Sequence, residues 1–224
     1  MLAGVITKAN SREECWNFAC SLPYGLRVEQ VQEAVDSTYG FLHAVNTTLA
    51  DNELGLFEDI VLGNTFSGLL SEVSVKNIAK CSPAIIRNRY VGGHPDLLPS
   101  GHAGGDSQLK CDEGIEVKTS RRPGSWQGHN PEAGWIMVFR YEMGRSEGQP
   151  TKFVQILVAR LELEDWSLAE RGERSRRTRT CSINHQGVHK LRTSPTYQEP
   201  EYIVGPNAAL RREYESLHAR FRRV

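Results

Sequence analysis

Apolar residues recur along the chain at two different periods. Val28, Val31, Val35, Leu42, Val45 and Leu49 return at helical, nearly heptad spacing, interrupted by Thr38, and predict one long amphipathic helix from about Arg27 to Ala50. A short helix is expected between Asp51 and Leu62. Asn64 or Thr65 caps the next, in which Phe66, Leu69, Leu70, Val73 and Ile78 make the buried stripe and which stops before Pro83. Beyond it the period changes. Ala84 to Val91 reads as a strand running into Gly92-Gly93, and Ile115 and Val117 alternate with Glu116 and Lys118 as in a strand with one buried face. Trp135 to Tyr141 and Phe153 to Leu161 are apolar and β-branched enough for central strands, with a turn over Glu147 to Thr151. Glu162 to Arg171 is a short acidic connection. Arg179–Asn184 and Val188–Arg192 flank His185-Gln186-Gly187 as the arms of a hairpin, and Asn207 caps a last helix with the stripe Leu210, Tyr214, Leu217 and Phe221. The pattern predicts one α/β domain over 1–224, with a helical region over about 1–82 and a C-terminal hairpin and helix over about 171–224.

The polar positions of one stretch carry chemistry. On the strand Ile115–Ser120, Glu116 and Lys118 point to the same side with Val117 in the core behind them. Gly101, Gly104 and Gly105 favour a turn that returns this strand beside Asp96. Two carboxylates and an ammonium then converge. Mg²⁺ takes hard oxygen ligands, commonly one or two carboxylates with water and phosphate completing the shell. Asp96, Glu116 and the carbonyl of Val117 are the expected protein ligands, with Mn²⁺ as a substitute ion. Such a metal activates water for attack on a phosphodiester, and Lys118 orients that water or shares in its deprotonation.

Pro95-Asp96 and Glu116-Val117-Lys118, with 19 residues between Asp96 and Glu116, resemble the motif of the PD-(D/E)XK nuclease family, the fold of many restriction endonucleases. The resemblance implies an α/β restriction-endonuclease-like fold, a mixed central sheet flanked by helices, and Mg²⁺-dependent cleavage of double-stranded DNA. Members often carry an acidic residue on the helix before the motif; Glu72 is that residue by position, with Glu53 in reserve. Minimal members run a helix after the lysine. Here Arg121 to Gly134 has two prolines, three glycines and no helical period, so a loop is expected. It carries Arg121, Arg122, Trp126, Gln127, His129 and Asn130 directly after the site, where loops of the more varied restriction enzymes address DNA.

Charge sharpens the partner. The chain has 27 basic and 27 acidic residues in 224, unevenly spread. Val28 to Ile60 holds seven acids and no lysine or arginine, whereas Arg171 to Arg192 holds six arginines and one lysine against Glu173 alone. A basic face for phosphates and an acidic face away from them fit DNA binding. Within the expected hairpin, Arg177 and Arg179 suit guanine and Asn184 and Gln186 suit adenine in the major groove. Arg174, Lys190 and Arg192 suit phosphates, as Arg121, Arg122 and Gln127 do for DNA beside the site. Five cysteines without a C-x-x-C give neither a disulfide framework nor a zinc site, and a reducing cytoplasm is expected. No apolar run reaches membrane-spanning length, and Met1 to Ser11 has too short an apolar core for a secretory signal. His185-x-x-x-His189 lacks the glutamate of a zincin, and Gly187 breaks the helix that motif needs. The expectation is a type II restriction endonuclease cutting a palindrome as a homodimer, with the stripes Val28–Leu49 and Leu210–Phe221 as candidate contact surfaces. A repair or transposon-end nuclease on the same fold, or a non-catalytic DNA-binding module, are the alternatives.

Overall fold

Arg27 is extended and the side chain of Gln30 accepts its backbone N–H at 3.0 Å, so the first helix, α1, begins at Val28; it runs to Asp51. The protein is seen in a computed structural model that describes residues 5–128, 130–144, 146, 148–168 and 180–202. The α1 stripe faces inward: Val28, Val31, Val35 and Leu42 are buried. Over those residues the stripe is used by the chain's own core, while Val45 and Leu49 are half-buried. After α2 (Phe57–Ile60), α3 (Gly63–Cys81) packs along α1. Phe66, Leu70 and Ile78 lie inside as expected, while Ser74 and Val75 take inner positions and Leu69 and Val73 are only half-buried. Up to Cys81 the described residues form these three helices and two single 3-10 turns, Glu13–Cys15 and Pro23–Gly25.

The main sheet has six strands in the order β1 (Ile85–Arg87), β2 (Leu97–Pro99), β3 (Ile115–Ser120), β5 (Gly134–Glu142), β6 (Lys152–Leu161) and β9 (Tyr197–Gln198). β3 and β5 run parallel and every other neighbouring pair is antiparallel, so the sheet is mixed. β1 is shorter than the predicted Ala84–Val91. Its pairing lasts one residue past Arg87, where Asn88 N–H bonds Asp96 O at 2.9 Å, and then Arg89 N–H turns away to Asp106 O at 2.7 Å. A parallel pair needs a crossover, usually a helix. Here the described residues of the connection, 121–128 and 130–133, contain no helix and hold the two-residue strand β4 (Gln127–Gly128), in line with the composition of that stretch.

Strand alternation sends side chains to two different cores. Ile115, Val117, Met137, Phe139, Phe153 and Ile156 face α1 and α3. Ile136, Val138, Leu157 and Leu161 face a second layer, in which Trp126, Trp166, Cys181, Ile183 and Leu191 are buried. β5 and β6 are covered on both faces, which is why they read as continuous apolar runs. The second layer is a three-stranded antiparallel sheet in the order β4, β8 (Cys181–Ile183), β7 (Trp166–Leu168), together with the helix α4 (His185–Thr193). The flanks are thus helices on one side and a small sheet plus one helix on the other.

α4 replaces the expected hairpin. β8 is a strand as predicted, but Asn184 caps a helix by accepting Gly187 N–H at 3.1 Å, and Leu191 seats that helix in the second core. Arg174, Arg177, Arg179, His129 and the predicted C-terminal helix lie outside the described residues. No helix among the described residues is long and apolar enough to cross a membrane.

Candidate metal centre

The loop before β2 is fixed by one buried amide. Asn88 donates to Pro95 O at 2.9 Å and Gln108 O at 2.8 Å, while its oxygen accepts Tyr90 N–H and Gln108 N–H. A Cβ on Gly93 would lie 2.3 Å from Gln108 O, and one on Gly114 (φ +141°) would lie 2.2 Å from Leu97 O. These two glycines let the loop close down onto the start of β3. His94-Pro95 is a cis peptide bond. Asp96 is thereby delivered against β3, where its Oδ2 accepts the Val117 N–H at 2.8 Å.

Glu116 is the hub of the site. Its Oε2 lies 3.0 Å from His94 Nδ1 and its Oε1 accepts from Lys118 Nζ at 2.7 Å. Glu132, in the crossover loop, brings a third carboxylate, with Oε2 3.5 Å from Lys118 Nζ. That oxygen is buried and has no hydrogen-bond partner among the described residues. His94, Glu116 and Glu132 each place one ligand atom within 4.8 Å of the other two.

Burial and the neighbouring Glu116 push Asp96 up to about 7. For Glu116, burial works upward but is outweighed by the His94 hydrogen bond and the Lys118 ammonium, which hold the carboxyl at about 2. Burial likewise works against the charge on Lys118, yet Glu116 and Glu132 prevail and raise it. His94 is raised by its hydrogen bond to Glu116, against the effect of burial. The site therefore holds an ionised Glu116 between the Lys118 ammonium and the His94 imidazole, whose protonated form it favours, and beside it the Asp96 carboxyl raised to about 7.

Asp96, Glu116, Val117 and Lys118 come together as predicted. Glu72 stays at the margin. It is exposed and paired with Arg87, and its charge is felt at Asp96 only as the smallest of five influences. Glu53 is an exposed residue in the turn after α1. Beside Lys118 opens a cleft of about 590 Å³ between α3, which contributes Asn64, Gly68 and Ser71, and the crossover loop, which contributes Arg122 and Gln127. Arg121 is exposed and donates to Met143 Sδ at 3.6 Å.

The residues assigned to base reading are used differently. Asn184 is a helix cap that also donates to Glu164 O at 2.7 Å. Gln186 is exposed in the first turn of α4. Lys190 pairs with the buried Asp165 at 2.6 Å, and Arg192 donates to Pro123 O at 2.5 Å, so both have protein partners where phosphates were expected. Two members of the site were not foreseen. His94 stood next to Pro95-Asp96 in the sequence, and that adjacency was the available signal. Glu132 sits in a loop without periodicity, where nothing local marks it. No protein-family model, curated protein or solved structure matches the chain.

Proposed function

We propose that the chain is a Mg²⁺-dependent DNA endonuclease with a restriction-endonuclease-like fold, acting as a type II restriction enzyme. One observation carries this reading. Asp96, far from Glu116 in sequence, lies with its carboxylate on the Val117 N–H at 2.8 Å, so both halves of the PD-(D/E)XK pattern meet on β3. The mixed sheet, with Glu116 and Lys118 on one strand of its parallel pair, is in keeping with that fold.

The donors suit a hard cation. No hydrogen bond among the described residues engages the second oxygen of Asp96. A residue's N–H and C=O leave a strand on the same side, so the Val117 carbonyl is directed to the Asp96 edge, beyond the single β2–β3 pair at Ile115. Asp96, Glu116 and the Val117 carbonyl would hold the ion, and Glu132 Oε2, ion-paired with Lys118 but without a hydrogen bond among the described residues, stands close to Glu116. Bound there, the ion would supply acidified water and positive charge for the scissile phosphate. Lys118, held as an ammonium by Glu116 and Glu132, serves to orient water and balance phosphate charge rather than to accept a proton. Arg122 and Gln127 flank the cleft beside Lys118 and offer donors to the DNA backbone. Cutting both strands of a palindrome calls for a two-fold homodimer. A DNA substrate and five free cysteines suit a cytoplasmic protein.

Incubation with unmethylated phage DNA and Mg²⁺ tests this. Discrete fragments are expected, and both Asp96→Ala and Glu116→Ala should abolish them. Structure-specific nicks would move the role to repair or transposon-end cleavage. Retention of DNA without cutting would leave a binding module, and full activity in Asp96→Ala would overturn the site.

A further inference from the structure

Away from this centre, in the loop joining β2 to β3, a thiol, an imidazole and a carboxylate stand in line. Cys111 Sγ is 3.5 Å from His102 Nε2, and His102 Nδ1 is 3.2 Å from Glu113 Oε2. The carboxylate and the sulfur occupy opposite nitrogens of the ring. That order passes a proton along a relay, whereas a shared metal would require both groups to converge on one nitrogen. The Cys111 thiol also donates to Glu113 O at 3.2 Å, and Glu113 N–H donates to Cys111 Sγ at 3.3 Å, a contact that favours the sulfur once its proton has left. His102 is held in place by its own N–H on Pro99 O at 3.2 Å and its side chain is largely buried, while Cys111 remains partly open to solvent.

The other cysteines have different surroundings. Cys15 and Cys181 are buried, and burial pushes Cys15 up to about 11. Burial raises Cys81 as well. Cys20 is partly exposed, and among the described residues its sulfur has polar contacts with Ser194 and Thr196 alone.

We propose that Cys111 is a peroxide-reactive thiol, with His102 as its base and Glu113 as the carboxylate that positions the imidazole. The proton of Cys111 passes to His102 Nε2 as the sulfur attacks one oxygen of a hydroperoxide. An S–O bond forms, the O–O bond breaks, and two electrons pass from sulfur to the departing oxygen. That oxygen takes the proton back from His102 and leaves as water or an alcohol. The sulfur is oxidised to a sulfenic acid and the peroxide is reduced.

The test treats the full chain with hydrogen peroxide, traps sulfenic acid with a 1,3-dione, and follows the Cys111 and Cys20 peptides by mass spectrometry. Cys111 is expected to react at least about tenfold faster than Cys20. His102→Gln should bring Cys111 down to the rate of Cys20, and added imidazole should restore the rate in His102→Gly, which a packing role would not allow. Glu113→Ala, at an exposed side chain, should slow Cys111 severalfold without altering Cys20, and Glu113→Asp should recover most of the loss. A wild-type Cys111 no faster than Cys20, a rate that survives both His102→Gln and Glu113→Ala, or a lost rate that imidazole does not restore would each overturn the proposal. DNA cleavage plays no part in the measurement, so it stands or falls apart from the nuclease reading.

Discussion

Asp96 is caught between two demands. A cation needs its carboxyl ionised, yet burial beside Glu116 raises that carboxyl to about 7 from an ordinary value of 3.8. Between these values the folded protein binds more protons than the unfolded chain, so stability of the metal-free protein falls as pH rises across the window, by up to on the order of 4 kcal/mol. Asp96→Asn keeps an acceptor for the Val117 N–H and removes the charge. Without metal, this variant should melt at a higher temperature than wild type at about pH 8, with the gap closing by about pH 4. Calorimetric melts in chelator measure this, and equal melting temperatures at the higher pH would refute it. Glu116 has the opposite sign. Held at about 2, below its ordinary 4.5, it contributes stability that is present above the higher value and lost as pH falls toward the lower one. Lys118→Ala should leave stabilisation by Mg²⁺ in place while cleavage is lost, a separation read by melting and digestion of the same preparation. The alternation of Ile115 to Lys118 made this side of the site legible in the sequence. His94 and Glu132 were not legible, because what gives them meaning is the path of two loops around Glu116.

Among the elements, α4 teaches most. Glycine after His185-Gln186 suggested a hairpin turn, and the strand before it does form. Gly187 is instead a close-packed helical position, where a Cβ would lie 2.6 Å from Ile183 Cγ2 and 2.9 Å from Asp165 O. Gly187→Ala should therefore cost about 1–3 kcal/mol through overpacking, and Asn184→Ala about 1 kcal/mol through the lost cap. Denaturant titration gives both values. If the proposed nuclease activity holds, neither substitution should change which DNA sequence is cut, since Asn184 is occupied as the cap of α4 and Gly187 is packed against Ile183 and Asp165. α1 was predicted almost to the residue because its stripe repeats over many turns, and β5 and β6 because both their faces are covered. A nine-residue helix with a glycine in its first turn leaves no comparable repeat, and the contact that decides it comes from Asp165, distant in sequence.

At the scale of the whole molecule, the core accounts for the Val28–Leu42 part of the α1 stripe, and the contact surface of the proposed homodimer is a matter for solution measurement. Sedimentation of the protein with a DNA duplex and Ca²⁺ in place of Mg²⁺ should give two chains per duplex; one chain at micromolar concentration would count against the homodimer. The layered plan was only partly legible. Periodicity revealed α1, α3 and the central strands, but α4 and the pairing of β4, β7 and β8 into a second sheet depend on short segments meeting across long separations. The same plan has a spectroscopic consequence. The Val117 N–H, although it belongs to a central-sheet strand, is bonded to the Asp96 carboxylate and not to a neighbouring strand. Its resonance in a proton–nitrogen correlation spectrum should follow the charge on that carboxylate while the amides paired with β5 stay still, so one backbone signal would report protonation or ion capture in solution without any substrate being cut.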